Sequence, residues 1–295
     1  MISVRKNNQN YPFSKGILAR SISPSGLSLD ESYSIVFEIR DELQDEGVET
    51  IDSDEIRERV SRKLLDKGYT DEEKHYHVLR QIAGIKKPII ILIAGATGVG
   101  KSSISAELAH RIGIERVTST DTIREIMRYM MPRDLVPTLH ASSFKTDEYL
   151  QSSFMEDRLL AGFNEQVNLV SQGVQAFIQR GKKEGLKTIL NGVHLVPGFL
   201  NLDSSDNSML LFHYFLDLQN EEEHKHRFHY RSEGSYREPE RYVSELDNIR
   251  KIQDHMREAA KRESVKIIQN EDFEDTMQII MQDIMSTIEE EIIDE

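Results

Sequence analysis

Gly95-Ala96-Thr97-Gly98-Val99-Gly100-Lys101-Ser102 is the stretch on which the reading of this chain turns. An apolar, β-branched run from Ile89 to Ala94 leads into it, and an amphipathic stretch from Ser103 to Ile112 leads away. Strand, glycine loop and helix in that order make a phosphate-binding P-loop. Glycines let backbone N–H groups approach phosphate oxygens closely, and the N-terminus of the following helix favours negative charge. A merely structural glycine turn would not require these flanks on both sides. Residues Gly95 to Ser103 are therefore expected to hold a nucleoside triphosphate, with Lys101 reaching the β- and γ-phosphates and the Ser102 hydroxyl ligating Mg²⁺.

Outward from this loop, strands and helices alternate. Strands are expected at 89–94, 115–119, 188–192, 209–216 and 265–268. Such alternation predicts an α/β fold of the P-loop NTPase type, a mainly parallel five-stranded sheet with helices on both faces. The longest helix is expected from about Phe154 to Lys183, where Leu160, Phe163, Val167, Val170, Val174 and Phe177 recur every three or four residues as a core-facing stripe.

Upstream, residues 1–84 read as a small α-rich domain, separated by Gly84-Ile85-Lys86-Lys87-Pro88 from a P-loop domain over 85–295. A short strand, Ile2 to Lys6, leads there into three helices. Their starts carry capping-box spacing at Ser28-x-x-Glu31, Asp52-x-x-Glu55 and Thr70-x-x-Glu73, and Gly47, Gly68 and Gly84 stand where they would stop.

Composition narrows the function classes. The 295 residues include no cysteine, which removes disulfides, thiolate zinc sites and thiol nucleophiles. No apolar run approaches the ~18 residues a membrane span needs, and Met1 to Lys6 lacks the apolar core of a signal peptide. A cytoplasmic setting is expected. The net charge of −14 argues against nucleic acid as partner, because neutralising phosphates dominates that binding. A small anionic substrate remains compatible where basic residues converge locally.

Ligands of open α/β sheets bind beyond the carboxyl ends of the strands. Ser119-Thr120-Asp121-Thr122-Ile123-Arg124 follows the second strand and is expected there. Asp121 suits the base that takes a hydroxyl proton, and Arg124 suits an anionic group; capping of the next helix is the alternative use of Asp121. The aperiodic segment from Pro132 to Tyr149 offers His140, Ser142, Ser143 and Lys145, either as substrate-pocket lining or as an ordinary surface loop. Arg227 and Arg231, four apart, share one helical face and suit a lid over a transferring phosphoryl group, unless the neighbouring Glu221 to Glu223 merely salt-bridge them. His224 and His226 point to different sides of a helix and make a poor zinc pair.

Taken together, GATGVGKSS, TSTDTIREIM, LHASSF, NGVHLVPGF and HKHRFHYRSE resemble the archaeal 2-phosphoglycerate kinases from Ile89 to about Asn270. VRKNNQNYPFSKGILARSI, within residues 2–84, resembles the ATP-cone, a regulatory nucleotide-binding module. The resemblance implies ATP and Mg²⁺ as cofactors and phosphorylation of the 3-hydroxyl of 2-phosphoglycerate. The product would be 2,3-bisphosphoglycerate, a precursor of cyclic 2,3-diphosphoglycerate. It also implies a second nucleotide at the cone, where Lys6, Lys15 and Arg20 are available for its phosphates. The family more usually has an acidic residue where Asn191 stands. A kinase for another phosphorylated polyol, such as an inositol phosphate, and a non-catalytic ATP-sensing regulator are the competing readings. Monomer and oligomer both remain open.

Overall fold

The computed structural model describes residues 2–6, 8–150, 157–202, 207–232 and 239–294. The chain divides into two compact units, one of residues 1–85 with 110–113 and 285–295, the other of 86–109 with 114–284. No helix among the described residues is long and apolar enough to cross a membrane.

In the first unit, β1 (Ser3–Lys6) and β2 (Gln9–Pro12) form an antiparallel pair, followed by α1 (Lys15–Ile22) and α2 (Leu29–Asp45). Then come β3 (Thr50–Asp52), α3 (Ser53–Asp66) and α4 (Thr70–Gly84). β3 pairs with β1 in parallel, so the sheet order is β2-β1-β3. Ile35, Ile39 and Leu43 recur every four residues along α2 and meet Ile22, Val60 and Leu64 in a closed core.

Sequence periodicity finds one strand and three helices here; β2, β3 and α1 are additional. The four residues of β2, all exposed, and the three of β3, two of them exposed, are too few to show an alternation. Of the three capping boxes, Ser28–Glu31 forms in full. Asp52 makes no capping bond, because its carboxylate pairs with Arg5 across the parallel strands at 2.8 and 2.9 Å. Thr70 is already helical and Tyr69 precedes it as the cap. Gly47 and Gly68 adopt the left-handed conformation just past their helices, whereas Gly84 lies inside α4 and Ile85 ends it.

The second unit is built on β4 (Ile89–Ala94), six residues buried throughout. After α5 (Lys101–Ile112) come β5 (Arg116–Ser119) and α6 (Thr120–Met130), then short 3-10 turns at Pro137–His140 and Ser143–Tyr149. Next are α7 (Arg158–Glu184), β6 (Lys187–Gly192), β7 (Leu210–Asp217), α8 (Glu221–Ser232) and α9 (Glu240–Val243). The chain continues through α10 (Leu246–Arg262) and β8 (Lys266–Gln269) into α11 (Phe273–Asp294), of which residues up to 284 belong to this unit. The five strands are all parallel in the order β5-β6-β4-β7-β8, with β4 at the centre. A strand buried on both faces reads as a continuous apolar run, which is what IIILIA is.

α7 begins at Arg158, with the Asp157 carboxylate accepting from the Leu160 N–H; residues 151–156, in which the expected start at Phe154 falls, lie outside the described residues. Phe163, Val167, Val170 and Val174 are buried as the stripe requires. At its ends Leu159 and Ile178 take the buried places expected for Leu160 and Phe177.

Candidate active site

Parallel pairing aligns the carboxyl ends of the strands, with Asn191 in register between Ile93 and Ser119. The P-loop, Asn191 and the first turn of α6 therefore share one edge of the sheet.

The P-loop is braced from outside. His224 on α8 is fully buried and its Nε2 donates to the Thr97 carbonyl at 2.8 Å. Asn270, at the exit of β8, donates through Nδ2 to the Val99 carbonyl at 2.6 Å. Lys101 Nζ donates to the Ala96 carbonyl at 2.6 Å. Gly98 sits at φ +90° with the Phe228 ring packed where a Cβ would project, so neither conformation nor space admits a side chain. Behind Asn270 stands a clamp. The buried Asp217 carboxylate takes two bonds from Arg257, at 2.7 and 2.8 Å, and one from Gln269 at 3.0 Å. Burial pushes the Asp217 carboxyl up, but these donors outweigh it and hold it below the ordinary value.

On the other side of the edge, Ser119 and not Asp121 caps α6, its hydroxyl accepting from the Thr122 N–H at 3.1 Å. Asp121 keeps its carboxylate largely exposed, 3.7 Å from Arg124 Nε. Arg124 is mostly buried, donates through Nη1 to the Ala141 carbonyl, and has no hydrogen-bond partner at Nε. Burial lowers its pKa, Asp121 pulls it back up and Arg128 adds to the lowering. A guanidinium stays charged in a protein, so this desolvation is a cost that a bound anion offsets. Arg128 pairs with Glu125 on the outer face of α6.

The other expected residues are engaged with protein partners. His140 Nε2 lies 2.9 Å from the Met131 carbonyl, Ser142 accepts from Arg241, and Lys145 pairs with Glu245 at 2.8 Å. Ser143 is buried. Arg227 bonds Glu223 at 2.8 Å and reaches the Val99 and Glu271 carbonyls, making it a brace of the loop as it stands. The salt bridge weighed as the alternative for Arg227 is thus present, to Glu223. The side chain of Arg231 lies outside the described residues. Within the first unit, Lys6 lines a cavity of about 470 Å³ with Arg57 and Arg80; Lys15 instead sits 4.7 Å over the Phe37 ring, and Arg20 is exposed.

Ser102, Asp121 and Asn191 offer hydroxyl, carboxylate and amide oxygens, a hard donor set that fits Mg²⁺. Among the described residues there is no group of three or more His, Asp or Glu that could hold a metal ion.

Sequence reasoning missed Gln166, Thr120 and Asn270. Gln166 had a signal: it is a polar side chain beside Phe163, Val167 and Val170 on the buried stripe of α7. Asn270 had none, since it acts on a loop far away in sequence.

Residues 1–84 match the ATP cone domain family. Over 281 residues the chain is 42% identical to a 2-phosphoglycerate kinase of Pyrococcus furiosus, covering 95% of this chain and 92% of that one. The chain belongs to the 2-phosphoglycerate kinase family. Another family member, from Methanocaldococcus jannaschii, is 40% identical over 91% of this chain and 86% of its own. That of Methanopyrus kandleri is 37% identical over 97% and 88%. Among solved structures, a shikimate kinase of Acinetobacter baumannii in complex with shikimate aligns over 70% of this chain and 98% of its own, at 16% identity and a TM-score of 0.41. As a 2-phosphoglycerate kinase family member, the chain is an ATP-dependent phosphotransferase.

Proposed function

We propose that the protein transfers the γ-phosphoryl group of ATP to the 3-hydroxyl of 2-phosphoglycerate, giving 2,3-bisphosphoglycerate and ADP. The observation carrying this reading is a P-loop with its Thr97 and Val99 carbonyls pinned by His224 and Asn270, on the same sheet edge as an exposed carboxylate beside a buried, under-bonded guanidinium. Pinned carbonyls leave the loop's N–H groups to face phosphate oxygens.

Lys101 exchanges the Ala96 carbonyl for the β- and γ-phosphates, while Gly95 to Ser103 wrap them. Asp121 accepts the proton of the 3-hydroxyl as that oxygen bonds to the γ-phosphorus and the bridge to the β-phosphate breaks. Arg124, ion-paired with Asp121, holds the acceptor's existing phosphate or carboxylate through its guanidinium. Magnesium, held by Ser102 with Asp121 or Asn191 nearby, supplies charge neutralisation on the phosphates when bound. Arg227 acts through the loop it braces. His140, Ser142, Ser143 and Lys145 shape the wall behind Arg124. All of this belongs to a cytoplasmic, small-molecule enzyme.

A second nucleotide belongs in the first unit, in the cavity of Lys6, Arg57 and Arg80, with Lys15 and Arg20 outside it. Calorimetry on the full chain should find two ATP sites and Lys6→Ala should remove one; a single site in both would refute this part.

The kinase assignment is tested by acceptor-dependent ADP release with 2-phosphoglycerate, 3-phosphoglycerate, glycerate and an inositol phosphate panel. Turnover confined to 2-phosphoglycerate is expected. Turnover on an inositol phosphate instead would replace the acceptor, and ATP binding with silence across the panel would refute the transfer.

A further inference from the structure

His194 is fully buried between two helices of the sheet edge, and both of its ring nitrogens are bonded. Nδ1 lies 2.8 Å from the Thr120 hydroxyl and Nε2 lies 3.0 Å from Gln166 Oε1. The Gln166 amide group in turn reaches the carbonyls of Thr138 and Ala141, at 2.5 and 3.1 Å.

The protons in this chain follow from its far end. Carbonyl oxygens only accept, so Gln166 must turn its NH₂ to Thr138 and Ala141 and its oxygen to His194. His194 must then donate at Nε2. Its Nδ1 is left as an acceptor, and Thr120 must donate to it. Burial pushes the ring's pKa down to about 3, so no second proton disturbs the pattern. Gly192 permits the approach: a Cβ there would collide with the Thr120 hydroxyl.

The same Ala141 carbonyl receives Arg124 Nη1. One oxygen therefore joins the buried chain to the guanidinium. Three buried polar side chains, Thr120, His194 and Gln166, are a costly way to pack a core, and when fully satisfied they fix one arrangement.

We propose that His194 is a positioning residue: by tying Thr120 to Gln166 it fixes the Ala141 carbonyl, and through it aims Arg124 at the anionic group of the acceptor. The proposal rests on the reading of Arg124 as the acceptor's anion clamp. It concerns aim rather than transfer, so loss of the chain acts on acceptor binding and spares ATP.

The test is steady-state kinetics on the full-length protein, with ATP and 2-phosphoglycerate varied independently. Thr120→Val keeps the shape and strands Nδ1; Thr120→Ser keeps the hydroxyl; Gln166→Met cuts the other end. Thr120→Val leaves the His194 Nδ1 acceptor unsatisfied, and Gln166→Met strands the His194 Nε2–H donor and removes a donor from the Ala141 carbonyl. Each should raise the 2-phosphoglycerate KM about tenfold with the ATP KM within about twofold of wild type. Thr120→Ser should restore the wild-type value. Nitrogen-15 NMR of His194, assigned by its loss in His194→Gln, should find a neutral ring protonated at Nε2 from pH 5 to 8.

Variants that lose stability but keep both KM values, or raise the two together, overturn the positioning role. A proton on Nδ1 overturns the chain itself, whatever the kinetics. A wild type silent towards 2-phosphoglycerate would instead overturn the acceptor reading, so the two failures are told apart.

Discussion

The two halves of the site are rigid for opposite reasons. On the ATP side a contiguous loop supplies the ligands, and the rest of the protein grips it by its carbonyls: His224 at Thr97, Asn270 at Val99. On the acceptor side no loop is contiguous. Thr120, His194, Gln166 and the Ala141 carbonyl come from four segments and hold one another through side-chain bonds. Backbone donors serve a phosphate chain common to every reaction of this type, whereas side chains serve an acceptor that must be told from its relatives. Each half also carries a buried imidazole kept neutral by burial, His224 and His194.

Breaking the ATP half should cost most. Lys101→Ala should lower ADP release by about a thousandfold or more, since it removes the charge on the phosphates as transfer develops. Asp121→Asn tests the acceptor half: kcat should fall on the order of a hundredfold or more while ATP affinity, measured by calorimetry, stays put. An Asp121→Asn enzyme with wild-type kcat would remove the carboxylate from the mechanism. Gly98→Ala sharpens the contrast, because the strain of its positive φ and the Phe228 ring should weaken ATP binding by roughly ten- to a hundredfold without touching acceptor discrimination.

The smallest effect is on stability against pH. Unfolded His194 takes up a proton near pH ~6.5, whereas the folded ring resists until about 3. Its contribution is therefore complete above that upper value and is lost as pH falls through the interval, by about 1.4 kcal/mol per pH unit. Urea unfolding from pH 7 to 5 should show the loss, and His194→Gln should make it shallower without abolishing it, because buried His213, held down to about 4, loses stability over the same interval.

The difference between the halves also governs how far each was legible. GATGVGKS announces the ATP half because its function lies in eight consecutive backbone positions and the strand and helix that flank them. The centre of the parallel sheet followed for the same reason, β4 and β7 being local, largely apolar runs. Thr120 and His194 are 74 residues apart, and His194 and Gln166 are 28 apart, so no window of sequence contains their relation. Asp121 and Arg124 were visible as residue types at a strand end. That Ser119 caps the helix, which leaves Asp121 exposed, is a matter of backbone geometry that composition does not carry. In the first unit β3 escaped notice because three residues, two of them exposed, have no pattern.

The central position of β4 has a consequence in time. Its hydrogen-bonding neighbours, β6 and β7, are both encoded about a hundred residues or more downstream. At a synthesis rate of about 5–20 residues per second, Ile89–Ala94 waits roughly 5 to 20 s for its first partner. Throughout that interval a six-residue apolar run without charge or proline stands unpaired, the composition that favours association between chains. The strand best hidden in the finished protein is openly adhesive while the chain is being made.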